Sequence, residues 1–315
     1  MAAARPGGAL AFPSSPASLL ISRSRSSTSD LLPASPAPRR PRRWIVAGVP
    51  AVAAGAALAA SASAPVSALL LRDGGATLLV TAGAYSLVRA FDALTERRLV
   101  EQVSQSLSRK IVHVLSGVMF MSSWPLFSNS NEARFFAAVV PFLNGIRLLT
   151  YGLGFYSDEA LVKSVTREGK REELLRGPLY YVIVLLLIVL AFWRDSPIGI
   201  VSLSMMSGGD GFADIVGRRY GSLKLPFNKK KSWAGSVAMF ISGFLLSALM
   251  LSYFSWLGYI HVNWEETFGK LVLVALAATV VECIPVTDVV DDNISVPLAT
   301  MFVAFMLFGN TANRI

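Results

Sequence analysis

The sequence predicts an all-α fold, a polytopic membrane helix bundle of about seven to nine transmembrane helices. Three observations carry that expectation. Composition is the first: 53% of the 315 residues are apolar against 16% charged, and the mean hydropathy is +0.54, more apolar surface than a soluble core of this size hides. The second is arrangement, because apolar runs of spanning length alternate with short, charge-dense stretches. The third is where the net charge of +9 sits. Residues 1–43 hold seven Arg against one Asp and so account for +6 of it, leaving +3, which argues against a nucleic-acid partner.

Taken in order, residues 1–43 contain nine Ser, seven Pro, no Lys and an Arg cluster at 39–43, without an apolar secretory core. That is the composition of an organellar transit peptide, and its Ser and Pro content favours the chloroplast. Residues 44–315 then form one membrane-embedded domain. Its expected spans are Trp44–Leu71, a weak one rich in Ala, Gly and Ser, then Ala76–Val88, Ile111–Phe127, Phe135–Tyr156, Pro178–Trp193, Pro197–Ser207, Trp233–Ile260, Leu271–Ile284 and Ile294–Phe308. Trp124, Trp193 and Trp233 fall near span ends, where an interfacial belt is expected.

Crossing order puts the charged loops on one side. Loops 92–110 and 157–177 share a face, Arg194 and Asp195 lie opposite, and 210–232 returns to the first. Residues 232–264 hold no Asp, Glu, Lys or Arg over 33 positions, which suits one generous crossing, since two would need about 40 residues. Asp288–Asn293 therefore joins the same face. A charged cosubstrate at a membrane surface requires such an asymmetry, whereas a transporter more often holds its charges near the midplane.

The densest of these stretches is Gly208–Ser236, with two carboxylates, six glycines and six Lys or Arg between apolar runs. Asp210 and Asp214 are four apart, so on a helix they share a face and could hold a divalent cation against a phosphate. Lys229, Lys230 and Lys231 precede Ser232 and Gly235, a basic turn opening a helix where backbone NH groups favour a phosphate. The bland alternative is a solvated, positively charged loop between spans. With Cys283 the single cysteine and His113 and His261 the two histidines, any metal must be oxygen-ligated, hence magnesium or manganese. Asp288, Asp291, Asp292 and Asn293 supply a second polar cluster, either a turn or the other half of a metal or hydroxyl-activating site. Arg109, Lys110 and His113 sit at the surface end of a span, as anchors or as contacts to phosphate or alcohol. Asn144, Arg147 and Glu282 lie within apolar runs and are expected to face the interior, Asn144 and Arg147 toward either a structural partner such as Glu282 or a phosphate. The mixed-sign run at 166–173 reads as a solvated, salt-bridged loop.

The residues GDGFADIVGRRYG and KLPFNKKKSWAGS resemble motifs of the plant phytol kinase and farnesol kinase family, relatives of dolichol kinases and, more remotely, of phosphatidate cytidylyltransferases. SRKIVH, PFLNGIRLLTYG, SVTREGKREELLRGPLYY, FWRDSPIGI and VECIPVTDVVDDNISVP match in the same order, from about residue 77 to the C-terminus. The resemblance implies a kinase that phosphorylates an isoprenoid alcohol, phytol or else farnesol or geranylgeraniol, typically with CTP, in tocopherol synthesis or isoprenoid salvage. On that reading Asp210, Asp214 and Asp291 hold Mg2+, and Asp210, Asp214 and Asp292 are catalytic. Either Asp292 or Asp214 takes the hydroxyl proton. Arg218, Arg219, Lys224, Lys231, Ser232, Gly235, Lys110 and His113 bind the nucleotide or neutralise its phosphates. A CTP-dependent lipid-phosphate cytidylyltransferase and an envelope transporter for an anionic metabolite are the alternatives.

Overall fold

A computed structural model describes residues 66–96, 105–285 and 291–312. The expected transit peptide, residues 44–65 of the first expected span, and Asp288 lie outside the described residues. Ten α-helices run through the described residues, and no strand does. They are α1 (Val66–Glu96), α2 (Gln105–Ser122), α3 (Ala133–Gly152), the short α4 (Glu159–Val165), α5 (Gly177–Ala191), α6 (Pro197–Ser204), α7 (Asp210–Tyr220), α8 (Trp233–Trp256), α9 (Trp264–Cys283) and α10 (Asp292–Ala312).

Helix starts follow local chemistry. Asp158 caps α4 by accepting from the Leu161 NH at 3.0 Å, Ser232 caps α8 by accepting from Gly235, and Asn263 caps α9 through Glu265. Proline stands in the first turn of α5 and α6, where its missing NH costs nothing. Pro141 and Pro297 sit inside α3 and α10, which neighbouring helices tolerate in apolar bundles.

Among the described residues four helices are long and apolar enough to cross a membrane: Ala133–Gly152, Arg171–Ala191, Trp233–Trp256 and Asp292–Gly309. The other expected spans, so far as they lie in the described residues, are also helical but less apolar or shorter, and the end of the first runs without a break through Arg72 and Asp73 into the second as α1. Helix α1 carries Arg72, Asp73 and Arg89, α2 carries Arg109 and Lys110, α9 opens on Glu265, Glu266 and Lys270, and α6 has eight residues. The uncharged 232–264 stretch holds one continuous helix of 24 residues and its exit, as a single crossing would require. Many large apolar side chains on these helices point outward, among them Leu78, Phe142, Leu245, Leu249, Phe302 and Met306, a surface suited to lipid.

Two features hold the bundle's ends. At one end Arg194, 3% exposed, donates to the Trp124 carbonyl (2.9 Å), the Phe127 carbonyl (3.0 Å), the Ser128 carbonyl and Asn129 Oδ1 (2.7 Å), with its guanidinium 4.4 Å over the Tyr259 ring. Asp73 takes the Ser128 NH and hydroxyl at 2.6 and 2.7 Å. Arg194 is thus a staple for the 124–129 turn. Trp124 corrects the belt expectation: it is fully buried, against Trp193 at 5.2 Å and Phe254 at 5.8 Å, because the staple folds its turn into the core. Trp233 is exposed, as a belt residue would be.

The other end carries the charge. There α6 runs through a π-helical turn, Met205–Gly209, into α7, and α7 packs on α8. Close approach depends on glycine: a Cβ on Gly235 would lie 2.9 Å from the Ala213 carbonyl and 3.3 Å from the Gly217 Cα.

Candidate active site

The second turn of α2 and the first turn of α7 face each other at the charged end. Lys110 Nζ lies 2.6 Å from Asp210 Oδ2, and both side chains are buried. His113 Nε2 donates to the Met206 carbonyl at 3.0 Å and lies 3.6 Å from the same Asp210 oxygen. The π-helical turn makes this contact available, since the widened backbone leaves a carbonyl for a partner outside the helix. One turn on, Asp214 Oδ1 accepts from Arg218 Nε at 2.9 Å, and its Oδ2 faces Arg109 Nη2 at 3.8 Å. The i, i+4 spacing of Asp210 and Asp214 does put them on one face of α7, but each has its own cation.

A second cluster forms where the 221–232 loop meets the ends of α9 and α10. The loop is shaped by the Leu225 NH donating to the Lys231 carbonyl, the Lys231 NH donating to the Asn228 carbonyl (both 3.1 Å), and Asn228 Nδ2 donating to the Cys283 carbonyl. This projects Lys231 Nζ between Glu282 Oε1 and Asp292 Oδ2, at 2.7 Å from each. Glu282 therefore pairs with Lys231, not with Arg147. Arg147 instead sits 3.7 Å from Asp158 and over the Tyr85 ring at 5.1 Å, because α3 faces α1 and α4 at that depth.

The two clusters act on each other. Burial alone would raise Asp210, but Lys110, then His113 and Lys231, outweigh it and hold the carboxyl well below its usual range. Burial likewise disfavours the Lys231 charge, yet Asp292, then Glu282 and Asp210, push that ammonium's pKa up. Arg109 is different. Burial first, and Arg167 second, lower its pKa, and Asp214 and Asp210 only partly oppose them.

Several polar atoms here are buried without a hydrogen-bond partner: Arg109 Nε and Nη2, Asp214 Oδ2, Asp292 Oδ1 and Asn293 Oδ1. Among the described residues no three His, Cys, Asp or Glu converge as a ready metal cluster. The open oxygens of Asp214 and Asp292 nonetheless fit an ion such as Mg2+, which takes one or two carboxylates and fills its shell with phosphate and water. Asp291 Oδ1 is used by the Asn293 NH and side-chain amide, at 2.9 and 2.7 Å.

Other expected residues have duties that need no ligand. Ser232 is the cap and Gly235 the close contact between α7 and α8, so the basic turn's first NH groups are not all open. Arg219 lies over the Tyr220 ring, and Lys224, exposed, pairs by backbone with Ser232. Lys231 is already neutralised. Sequence reasoning missed Tyr181, whose hydroxyl donates to the His113 carbonyl at 3.0 Å and whose ring lies 4.1 Å from the imidazole, and Asp158, which meets Arg147 and Arg89. For Tyr181 the available signal was a polar aromatic in an otherwise aliphatic span.

Two cavities open at this end. An apolar groove of about 210 Å³ runs between α1, α2, α3 and α5, past Val80, Met119, Phe120 and Leu185, to His113 and Arg109. A charged cavity of about 450 Å³ lies under the 165–178 segment, walled by Arg109, Arg167, Lys170 and Arg176 and equally by Glu168, Glu172, Glu173 and Asp291. They share Arg109, Val165, Gly177 and Pro178.

Comparison with known proteins agrees. A wheat (Triticum aestivum) protein described as a probable chloroplastic phytol kinase is 84% identical over 99% of this chain and all of its own length. A maize (Zea mays) protein of the same description is 72% identical over 94% of each chain, and the Arabidopsis thaliana chloroplastic phytol kinase 1 is 57% identical over 76% of this chain and 78% of its own. No family model and no solved structure matches. On sequence identity over nearly its whole length, the chain belongs to the plant phytol kinase family.

Proposed function

We propose that this chain is a multi-pass chloroplast membrane kinase that moves the γ-phosphoryl group of a nucleoside triphosphate, CTP in our reading, onto an isoprenoid alcohol. Membership of its family makes it a phosphotransferase with an alcohol acceptor. Phytol is the first candidate, with farnesol and geranylgeraniol next, and the monophosphate would serve tocopherol synthesis or isoprenoid salvage. The observation that carries the reading is the shared wall of the two cavities, at Arg109, Gly177 and Pro178. A lipid alcohol needs an apolar groove and a nucleotide needs a charged one, and transfer needs them to meet.

Within that reading each residue has a task. Lys110 and His113 fix Asp210, which holds α2 against α7. Asp214 and Asp292, each with a free buried oxygen, would hold Mg2+, which supplies charge neutralisation at the phosphates when bound. Asp292 or Asp214 accepts the hydroxyl proton. The α1, α2, α6 and α9 helices would complete the expected seven to nine crossings, with the alcohol's tail lying between α1, α2, α3 and α5. Purified protein in detergent, given labelled CTP, ATP or UTP with phytol, tests the proposal. Release of nucleoside diphosphate with phytyl phosphate supports it, and release of pyrophosphate would favour a cytidylyltransferase instead.

A further inference from the structure

We propose that Arg109 is a catalytic residue whose guanidinium contacts the phosphoryl group as it passes from nucleotide to alcohol. The inference rests on the kinase reading above and deepens it.

Arg109 stands in the wall common to the groove and the charged cavity. Its side chain is 9% exposed, yet Nε and Nη2 have no hydrogen-bond partner, and Asp214 Oδ2, at 3.8 Å, is beyond hydrogen-bond reach. Leaving a charged, desolvated donor unused is costly, so the arrangement makes sense with an anion at the free Arg109 nitrogens. Arg167 acts on Arg109 as a like charge, which an anion would relieve. Gly177 keeps the opposite wall clear of side chain: a Cβ there would come 3.4 Å from Asn293 Nδ2, 3.6 Å from Asp291 Oδ2 and 3.9 Å from Arg109 Nη1. The neighbouring cations are already engaged. Lys110 is held by Asp210, Lys231 by Glu282 and Asp292, and Arg218, half exposed, by Asp214.

The chemistry is a single displacement. The alcohol oxygen forms a bond to the γ-phosphorus while the bond from phosphorus to the β,γ-bridging oxygen breaks. The hydroxyl proton passes to a carboxylate of the site, and the nucleoside diphosphate leaves with the electron pair. Charge on the transferring oxygens is what a planar, two-pronged donor at the junction stabilises.

The test uses full-length protein in detergent carrying Arg109→Ala, Arg109→Gln or Arg109→Lys, with kcat and KM measured for CTP and phytol. Expected is a fall in kcat on the order of 10³-fold for Ala and Gln, KM values within about fivefold of wild type, and partial rescue of Ala by free guanidinium. Lys should remain well below wild type, since an ammonium lacks the fork. Turnover within about tenfold of wild type in Ala or Gln, a loss confined to KM, or failure of all three variants to fold would overturn the assignment. A wild-type protein inactive with every isoprenoid alcohol would instead refute the kinase reading itself.

Discussion

Replacing Lys231 with Met tests whether the second cluster is held by charge. Its ammonium is the sole partner at 2.7 Å for Glu282, whose side chain is 4% exposed, and it also meets Asp292, which is 23% exposed. Removing it leaves both carboxylates unpaired, but water can reach Asp292 far more easily than Glu282. The cost is therefore dominated by Glu282, and breaking a buried pair from one side typically costs about 3–5 kcal/mol. That is a large share of the 5–15 kcal/mol by which folded proteins are usually stable, so the unfolding midpoint in detergent should fall sharply. Adding Glu282→Gln to Lys231→Met removes the stranded charge and should recover most of the loss, to within about 1–2 kcal/mol of wild type. Thermal unfolding of the two single variants and the double variant measures the coupling directly. A Lys231→Met protein as stable as wild type, or a double variant no better than the single one, would refute the reasoning.

Further outcomes follow from the same geometry. Asp214→Asn should leave the protein folded, since the side chain is partly solvent-reached, but lower turnover by at least about 100-fold at any Mg2+ concentration; near-normal turnover at saturating Mg2+ removes Asp214 from the ion's ligands. Ala84→Leu adds bulk to the groove wall and should lower kcat/KM for phytol by about tenfold while a ten-carbon isoprenoid alcohol is nearly unaffected, as steady-state kinetics on the two alcohols would show. In a Cys283→Ser background in sealed vesicles, single cysteines at Lys229 and Asp291 should react with a charged maleimide from one side and one at Glu266 from the other. Labelling of 229 and 291 from opposite sides would break the single-face arrangement.

Much of this was legible in the chain. Apolar runs marked the helices because burial in a bundle or a bilayer demands long uncharged segments, and the absence of charge from 232 to 264 foretold a single helix. Lys110, His113, Asp210, Asp214, Lys231 and Asp292 were each readable as polar groups on one membrane face, and the structure gathers them into two clusters at one end. Partnership was not readable. Spacing suggested that Asp210 and Asp214 share one ion, but a helix face says nothing about what another helix brings to it, and α2 brings Lys110 to one and Arg109 to the other. Glu282 needed a partner, and the sequence pointed to Arg147; the packing of α9 on α10, with the 221–232 loop pinned by Asn228, supplies Lys231 instead. Ser232 and Gly235 show the converse, since a cap and a phosphate cradle have the same local sequence.

The distribution of charge across the site then orients the reaction. Lys231 with Glu282 and Asp292 sums to one negative charge, and Asp214 with Arg109 and Arg218 to one positive, while Lys110 and Asp210 cancel between them. In the proposed reading a magnesium ion would be drawn toward the carboxylates of the first group and phosphate oxygens toward the Arg109 end of the second. That end is where the apolar groove opens, at His113 and Gly177. An alcohol bound with its hydroxyl at that end would keep its tail among Val80, Met119 and Phe120, and the reverse orientation would place the hydroxyl in the apolar part of the groove. Electrostatics and apolarity thus select the same junction independently, one from the nucleotide's side and one from the lipid's.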